Sequence, residues 1–167
     1  YSPEELASFN EGEEAEAEEE KSSIFDIFTD FGNMPQTMRQ LGWVQFFSWF
    51  ALFSMWVFTT PAIAHHIYGL PLEDTHSATY QDAGDWVGII FGVYNLISAI
   101  YAFFLPAIAK KVGRKRTHSI SLIIGGLGLI SVYFAPSPMW LIASMMAVGV
   151  AWASILAMPY ALLAGSI

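Results

Sequence analysis

The sequence predicts an all-α integral membrane protein with four spanning helices, and three observations predict this fold class. Hydrophobic residues make up 54% of the 167 residues. Four long runs contain no Asp, Glu, Lys or Arg, and each has at least the roughly 17 residues that a membrane-spanning helix needs. These runs are residues 43–64, 86–109, 118–134 and 139–164. Five of the seven basic residues stand together at 110–116, between the second and third runs.

Acidic charge is concentrated before the first run. Residues 1–22 hold nine Glu and one Lys, while the remaining residues hold six acidic and six basic side chains. A Glu-rich segment with few large apolar residues buries too little surface to fold, so we predict an acidic linker at 1–22. Residues 23–34 carry Ile and Phe on one side, which predicts a short amphipathic helix at the membrane surface. Nothing in this charge pattern indicates a nucleic-acid surface.

The basic residues predict the orientation of the chain. Arg39 precedes the first run, and the basic stretch, residues 110–117, links the second run to the third. The connecting segment 65–85 holds four acidic residues and neither Lys nor Arg. Because basic loops of membrane proteins stay in the cytoplasm, we expect residues 1–40 and 110–117 to be cytoplasmic in a multi-pass protein of the cell (inner) membrane.

Uncharged polar groups lie beside aromatic rings within the spans. Gln45 and Trp49 are four residues apart and therefore share a helix face. Amide groups hydrogen-bond sugar hydroxyls, and aromatic faces stack on the C–H face of a sugar ring. The simpler interpretation is that such residues join helices or mark the membrane interface. The candidate substrate-binding residues are Gln45, Trp49, Tyr94, Asn95, Trp152 and Tyr160.

Other chemistry has little support in the sequence. Cysteine is absent, which excludes disulfides and thiolate metal sites. His65 and His66 are adjacent, so on a helix they point about 100° apart, and an interfacial role is favoured over a metal site. The acidic residues of the 65–85 segment favour a solvated loop over a weak cation site. No nucleophile triad or phosphate loop is present, so we expect neither an enzyme, nor a cofactor, nor a metal.

The basic stretch also carries a resemblance to a known family. Residues 103–116, FFLPAIAKKVGRKR, resemble the cytoplasmic-loop motif of the major facilitator superfamily. Gly113, Arg114, Lys115 and Arg116 match its Gly-Arg-basic-Arg core, and Lys110 or Lys111 stands near the place of the motif's usual acid. The resemblance implies that this loop takes part in conformational switching. The motif's usual acidic residue is absent, so this copy differs from the family pattern in which charge pairs control gating.

A narrower resemblance involves the first and last spans. Residues 38–43, MRQLGW, with 45–50, QFFSWF, resemble bacterial relatives of plant sucrose transporters, among the glycoside-pentoside-hexuronide cation symporters. Residues 159–164, PYALLA, are similar to the end of their tenth helix. The resemblance implies helices seven to ten, part of the C-terminal half of a twelve-helix major facilitator fold. It also implies that this chain is an excerpt of a longer transporter.

The function that this resemblance implies is sugar symport by alternating access. The expected partners are a disaccharide or other glycoside, a coupling proton or sodium ion, the lipid bilayer and the remainder of the same transporter. Two alternatives stay open. One is a non-transporting scaffold or assembly subunit whose acidic tail recruits a cytoplasmic partner, and the other is a facilitator-fold exporter of other small molecules.

Overall fold

The structure, a computed structural model, describes Thr29 and residues 32–164. Among these residues, helices and short connections form the fold, and no strand occurs. The predicted acidic linker and most of the predicted 23–34 helix lie outside the described residues. The described residues up to Gln40 belong to one unit, and those from Leu41 to Ala164 belong to another. The helices are α1 (Gln36–Pro61), α2 (Ala78–Val112), α3 (Arg114–Val132) and α4 (Leu141–Ala164).

Three helical stretches of the described chain are long and apolar enough to cross a membrane. They are Gln36–Ile67, Ala78–Val112 and Pro138–Ala164, which contain the first, second and fourth predicted spans. Most of the third predicted span, 118–134, lies in α3, which ends at Val132. This helix has 19 residues and therefore a length of roughly 28 Å. Arg, Lys, His, Ser and Gly residues lower its mean hydropathy, so a membrane crossing by α3 stays a prediction.

Prediction and structure differ most at residues 110–117, where a basic loop was predicted. Lys110 and Lys111 form the last turn of α2, and Arg114 already begins α3. Gly113 alone separates the two helices, with a φ of 96°. Because glycine lacks a Cβ atom, it adopts this positive φ without the clash that other residues meet. One glycine therefore replaces the predicted loop, and the basic side chains are held on helix ends.

The other boundaries shift outward from the apolar runs. α1 begins directly after Pro35 rather than at residue 43, and Pro61 leads into a π-helical turn at Ala62–Ile67. α2 begins at Ala78 because Ser77 caps it, with the Ser77 Oγ accepting a hydrogen bond of 3.2 Å from the Tyr80 amide. The predicted 65–85 connection is therefore shorter. A single 3₁₀ turn at Pro138–Trp140 precedes α4.

α4 is the central helix of the unit that begins at Leu41, and glycines set its distance from two neighbours. A Cβ atom on Gly128 of α3 would lie 2.7 Å from the Ser144 carbonyl oxygen, and one on Gly125 would meet Ala151. On the other side, Gly149 of α4 lies against the Tyr94 carbonyl of α2. Small residues allow such close backbone approach in lipid. α1 meets α4 mainly through longer side chains.

We predict that Gly128→Ala lowers the stability of the protein and that Gly126→Ala does not. The added methyl group at residue 128 has no room against α4, while nothing lies within 4 Å of a Cβ atom at residue 126. Overpacking of this kind costs about 1–3 kcal/mol. The midpoint of thermal unfolding of the purified full-length protein measures the effect. Equal midpoints for the two variants would show that α3 and α4 do not need this glycine.

Candidate functional site

Four aromatic side chains from three helices form what we call the tryptophan cluster. Its members are Trp49 and Trp56 of α1, Tyr94 of α2 and Trp152 of α4. The Trp152 ring lies 5.6 Å from each of the Trp49 and Trp56 rings, edge to face, and 6.2 Å from Tyr94. These are favourable aromatic geometries. Trp49 and Trp56 are seven residues apart, so two helical turns bring them to one face.

The cluster combines buried and accessible rings. Tyr94 is buried at the α2–α4 contact, and Trp152 is half-buried. Trp49 leaves 40% of its surface exposed. Trp56 and Trp152 both contact the Trp49 ring edge to face, which favours one orientation of the accessible ring. The cluster therefore offers a firm aromatic surface at the middle of the helices.

Gln45 lies one turn before Trp49 and reaches across to α4. Its Nε2 donates a hydrogen bond of 3.4 Å to the Ile155 carbonyl oxygen. This carbonyl is available because its normal helical donor would be the amide of residue 159, and Pro159 has no N–H. The Gln45 Oε1 is buried and has no hydrogen-bond partner within the described residues. Gln45 thus joins α1 to α4 and keeps one acceptor unused.

The structure does not bring Asn95 and Tyr160 into the cluster. Asn95 is exposed, and its Nδ2 donates to the Phe91 carbonyl of its own helix at 2.8 Å. It follows Tyr94 directly, so the two side chains point about 100° apart on α2. Tyr160 lies near the end of α4 with 74% of its surface exposed. Of the six predicted binding residues, Gln45, Trp49, Tyr94 and Trp152 lie together.

The predicted switching residues lie where α2 ends and α3 begins, which we call the basic end. Arg114 donates a hydrogen bond of 2.7 Å from its guanidinium to the Ala161 carbonyl oxygen near the end of α4. Lys110 and Arg114 also line a cavity of about 450 Å³, whose other walls come from α2 and α4. Lys115 and Arg116 are exposed. Arg114 therefore ties the start of α3 to the last turn of α4.

The opposite end is held by hydrogen bonds between short connections. His65 donates from Nδ1 to the Leu70 carbonyl at 2.9 Å, and His66 donates from Nε2 to the Tyr133 carbonyl at 2.8 Å. Each carbonyl oxygen only accepts, so each of these ring nitrogens carries a proton. Within the described residues, no group of three His, Cys, Asp or Glu side chains is placed to hold a metal ion.

One tyrosine at this end is held in its neutral form. The Tyr68 hydroxyl donates to Asp82 Oδ2 at 2.5 Å. Desolvation of the phenol and this carboxylate together raise the pKa of Tyr68 to about 12. The pKa of Asp74 is lowered instead, because the Ser77 amide donates a hydrogen bond of 3.0 Å to the Asp74 carboxylate. These bonds fix the connection between α1 and α2 at neutral pH.

A second cavity, which does not contain the predicted residues, has a volume of about 640 Å³. It lies between α3 and α4 near the turn that joins them. Its walls are almost wholly apolar, apart from Ser131 and Ser144. These two hydroxyls lie 2.7 Å apart and bond each other. The cavity thus lacks the free polar groups that recognise a polar substrate, and the tryptophan cluster is the better candidate.

Two further sets of residues were not predicted as site residues from the sequence. The first is Trp56, which contacts Trp49 in the tryptophan cluster. The seven-residue spacing of the two tryptophans already places them on one helix face. The second group is His118 of α3, whose Nδ1 lies 2.9 Å from Ser154 Oγ of α4. Tyr101 and Ser121 form a similar bond of 3.0 Å between α2 and α3. No local spacing predicts the His118 and Tyr101 pairs, because each joins different helices.

We predict that Gln45 and Pro159 act on stability through the same carbonyl. Gln45→Ala leaves the Ile155 oxygen without a donor and costs about 1 kcal/mol. Pro159→Ala restores the helical N–H, so Gln45→Ala has a smaller effect in that background. Thermal unfolding of the two single variants and the double variant gives the coupling. Strictly additive losses would show that Gln45 does not serve the carbonyl freed by Pro159.

Comparison with known proteins identifies the family. The sequence model of the Major Facilitator Superfamily matches residues 4–167. No curated protein and no solved structure matches the chain. The family match agrees with the all-helical fold, the apolar spans and the Gly113–Arg116 motif. The chain belongs to the major facilitator superfamily and is that of a multi-pass membrane protein of the secondary-transporter type.

Proposed function

We propose that the protein takes up a disaccharide or other glycoside together with a proton or a sodium ion, by alternating access. The observation that carries this proposal is the tryptophan cluster with Gln45 beside it. The accessible Trp49 ring suits the C–H face of a sugar, and the free Gln45 Oε1 suits a sugar hydroxyl. A site built to pair a hydroxyl rejects an apolar analogue, since a buried polar atom is then left unpaired.

The proposed arrangement follows the resemblance to the symporters. α1 to α4 correspond to helices seven to ten, and the rest of the same transporter closes the substrate pathway opposite α1, α2 and α4. Asn95 and Tyr160 are exposed in the described chain. In this arrangement they face the remainder of the transporter, where they contact the substrate from other sides. In this proposal the tryptophan cluster takes the central place in the pathway.

The orientation belongs to the same proposal. The basic end faces the cytoplasm, with residues 1–40 and 110–117 on that side of the cell (inner) membrane. Membership in a transporter superfamily favours this function over a non-transporting scaffold. The aromatic surface also suits an apolar aromatic substrate. Experiments must therefore distinguish sugar uptake from export of other small molecules.

The site is tested by sugar binding and uptake with the full-length protein in liposomes, with sucrose as the first probe and maltose and lactose as further probes. We expect Gln45→Ala, Trp49→Ala and Trp152→Ala each to weaken apparent affinity roughly tenfold, which corresponds to about 1.4 kcal/mol. Trp140→Ala is the matched control, because Trp140 is exposed in the turn before α4 and lies outside the cluster.

Two results would contradict the sugar site. One is unchanged uptake by all three cluster variants, in both maximal rate and apparent affinity. The other is the absence of uptake with every disaccharide while an apolar aromatic cation is expelled from the liposomes, which would establish the exporter. A loss shared by the Trp140 control would show damage to the fold rather than to the site.

The second functional prediction concerns the contact between Arg114 and the Ala161 carbonyl. We propose that this hydrogen bond holds the basic end closed in one conformation, so its loss changes the rate of switching rather than the substrate site. Arg114→Gln is expected to slow maximal uptake about fivefold or more while sugar binding at equilibrium stays within about twofold. Lys111→Gln is the control, since Lys111 is exposed at the end of α2. Equal losses in rate and in binding would refute the switching role.

A further inference from the structure

A histidine is buried between α3 and α4 with half of its hydrogen-bonding capacity unused. His118 is 5% exposed, and Ser154 is fully buried. The His118 Nδ1 lies 2.9 Å from Ser154 Oγ. The other ring nitrogen, Nε2, is buried and has no partner within the described residues. A buried polar atom without a partner is uncommon in folded proteins and calls for an explanation.

Within the described residues, no acidic side chain is a partner of His118. α4 has one titratable residue, Tyr160, which is mostly exposed, and α1 has none from Leu41 to Pro61. On α2, the Tyr101 hydroxyl bonds Ser121, one turn beyond His118. In the part of the chain that the structure describes, the other titratable groups at the basic end are cationic: Lys110 and Lys111 of α2 and Arg114, Lys115 and Arg116 of α3 itself.

A proton on the His118 ring would therefore create a buried cation without an acceptor for Nε2 among the described residues. Burial of such a charge is unfavourable. A cationic ring becomes favourable only if water or an acceptor reaches Nε2. The close contacts at Gly125 and Gly128 hold the middle of α3 against α4. Access to His118 must therefore come from the basic end, where Arg114 bonds the Ala161 carbonyl.

We propose that His118 is a proton-binding site whose protonation accompanies separation of α3 from α4 at the basic end. Protonation and separation are linked in both directions. A conformation in which water reaches Nε2 binds the proton more tightly. Protonation therefore favours that conformation by the same factor by which the conformation raises the proton affinity. The inference does not depend on a sugar substrate, because the site and the motion belong to α3 and α4 alone.

The separation is measured with two spin labels on the full-length protein in nanodiscs, without sugar. This chain has no cysteine, and Ser119→Cys and Ala164→Cys place labels at exposed positions of α3 and α4. Their dipolar coupling reports the distance between the helices. Between pH 8 and pH 5, where histidine titrates, we expect the widely separated fraction to rise roughly threefold or more.

Three variants separate proton binding from a structural role. His118→Asn keeps an amide group near Ser154 but cannot bind a proton, so the pH response should disappear. Ser154→Ala keeps the imidazole, so the response should remain with a shifted midpoint. His66→Asn, at the opposite end of the helices, should leave the response unchanged. A pH response that persists in His118→Asn would overturn the proposal.

The proposal can also be tested on the protein that keeps His118, in case the His118→Asn variant fails to fold. Nitrogen NMR of ring-labelled histidines distinguishes neutral from charged imidazole, and the signal that His118→Asn removes belongs to His118. If that variant is unstable, a paramagnetic label on Ser119→Cys identifies the same signal by broadening. We expect the signal to change from neutral to charged together with the helix separation. A ring that stays neutral to pH 5, or that titrates without any separation, would refute the inference.

Discussion

The fold depends on a backbone-to-backbone approach between α4 and two other helices. Gly125 and Gly128 of α3 and Gly149 of α4 leave no space for a side chain at the contacts. In a membrane, apolar side chains gain little from meeting each other rather than lipid, so dense packing and hydrogen bonds hold helices together. The position of α4 in turn sets the place of Trp152, Ser154 and the Ile155 carbonyl. The candidate site and the buried histidine both depend on this helix.

Polar groups within these helices are satisfied by their neighbours rather than by solvent. Thr117 and Ser121 bond carbonyls four residues earlier on α3, and Tyr101 joins Ser121 from α2. The carbonyl that Pro159 frees on α4 receives the amide of Gln45. Such pairing is required wherever water is excluded, because each unpaired group costs free energy. Within the described residues, the buried Gln45 Oε1 and His118 Nε2 are exceptions, because neither has a hydrogen-bond partner.

Chemically, the described part of this transporter offers an aromatic surface with one free amide oxygen and one buried imidazole. The four uncharged runs contain no carboxylate, so negative charge that balances a bound cation has to come from elsewhere in the protein. The Arg114 contact lies close to that histidine along α3. The proposed substrate contact and the proposed conformational control are therefore in different places, the first at the middle of α4 and the second near its end.

The helical membrane class, the places of the apolar runs and the facilitator motif follow from the sequence, because lipid restricts a spanning segment to a long uncharged helix. The face shared by Gln45 and Trp49 also follows from helical spacing alone. Tertiary structure decided the rest. It reduced the basic loop to Gly113, placed Trp152 against Trp49 and Trp56, turned Asn95 away from Tyr94 and paired His118 with Ser154. Spacing along one helix determines which side chains share a face. Which faces of different helices meet is determined by the close backbone contacts at the glycines.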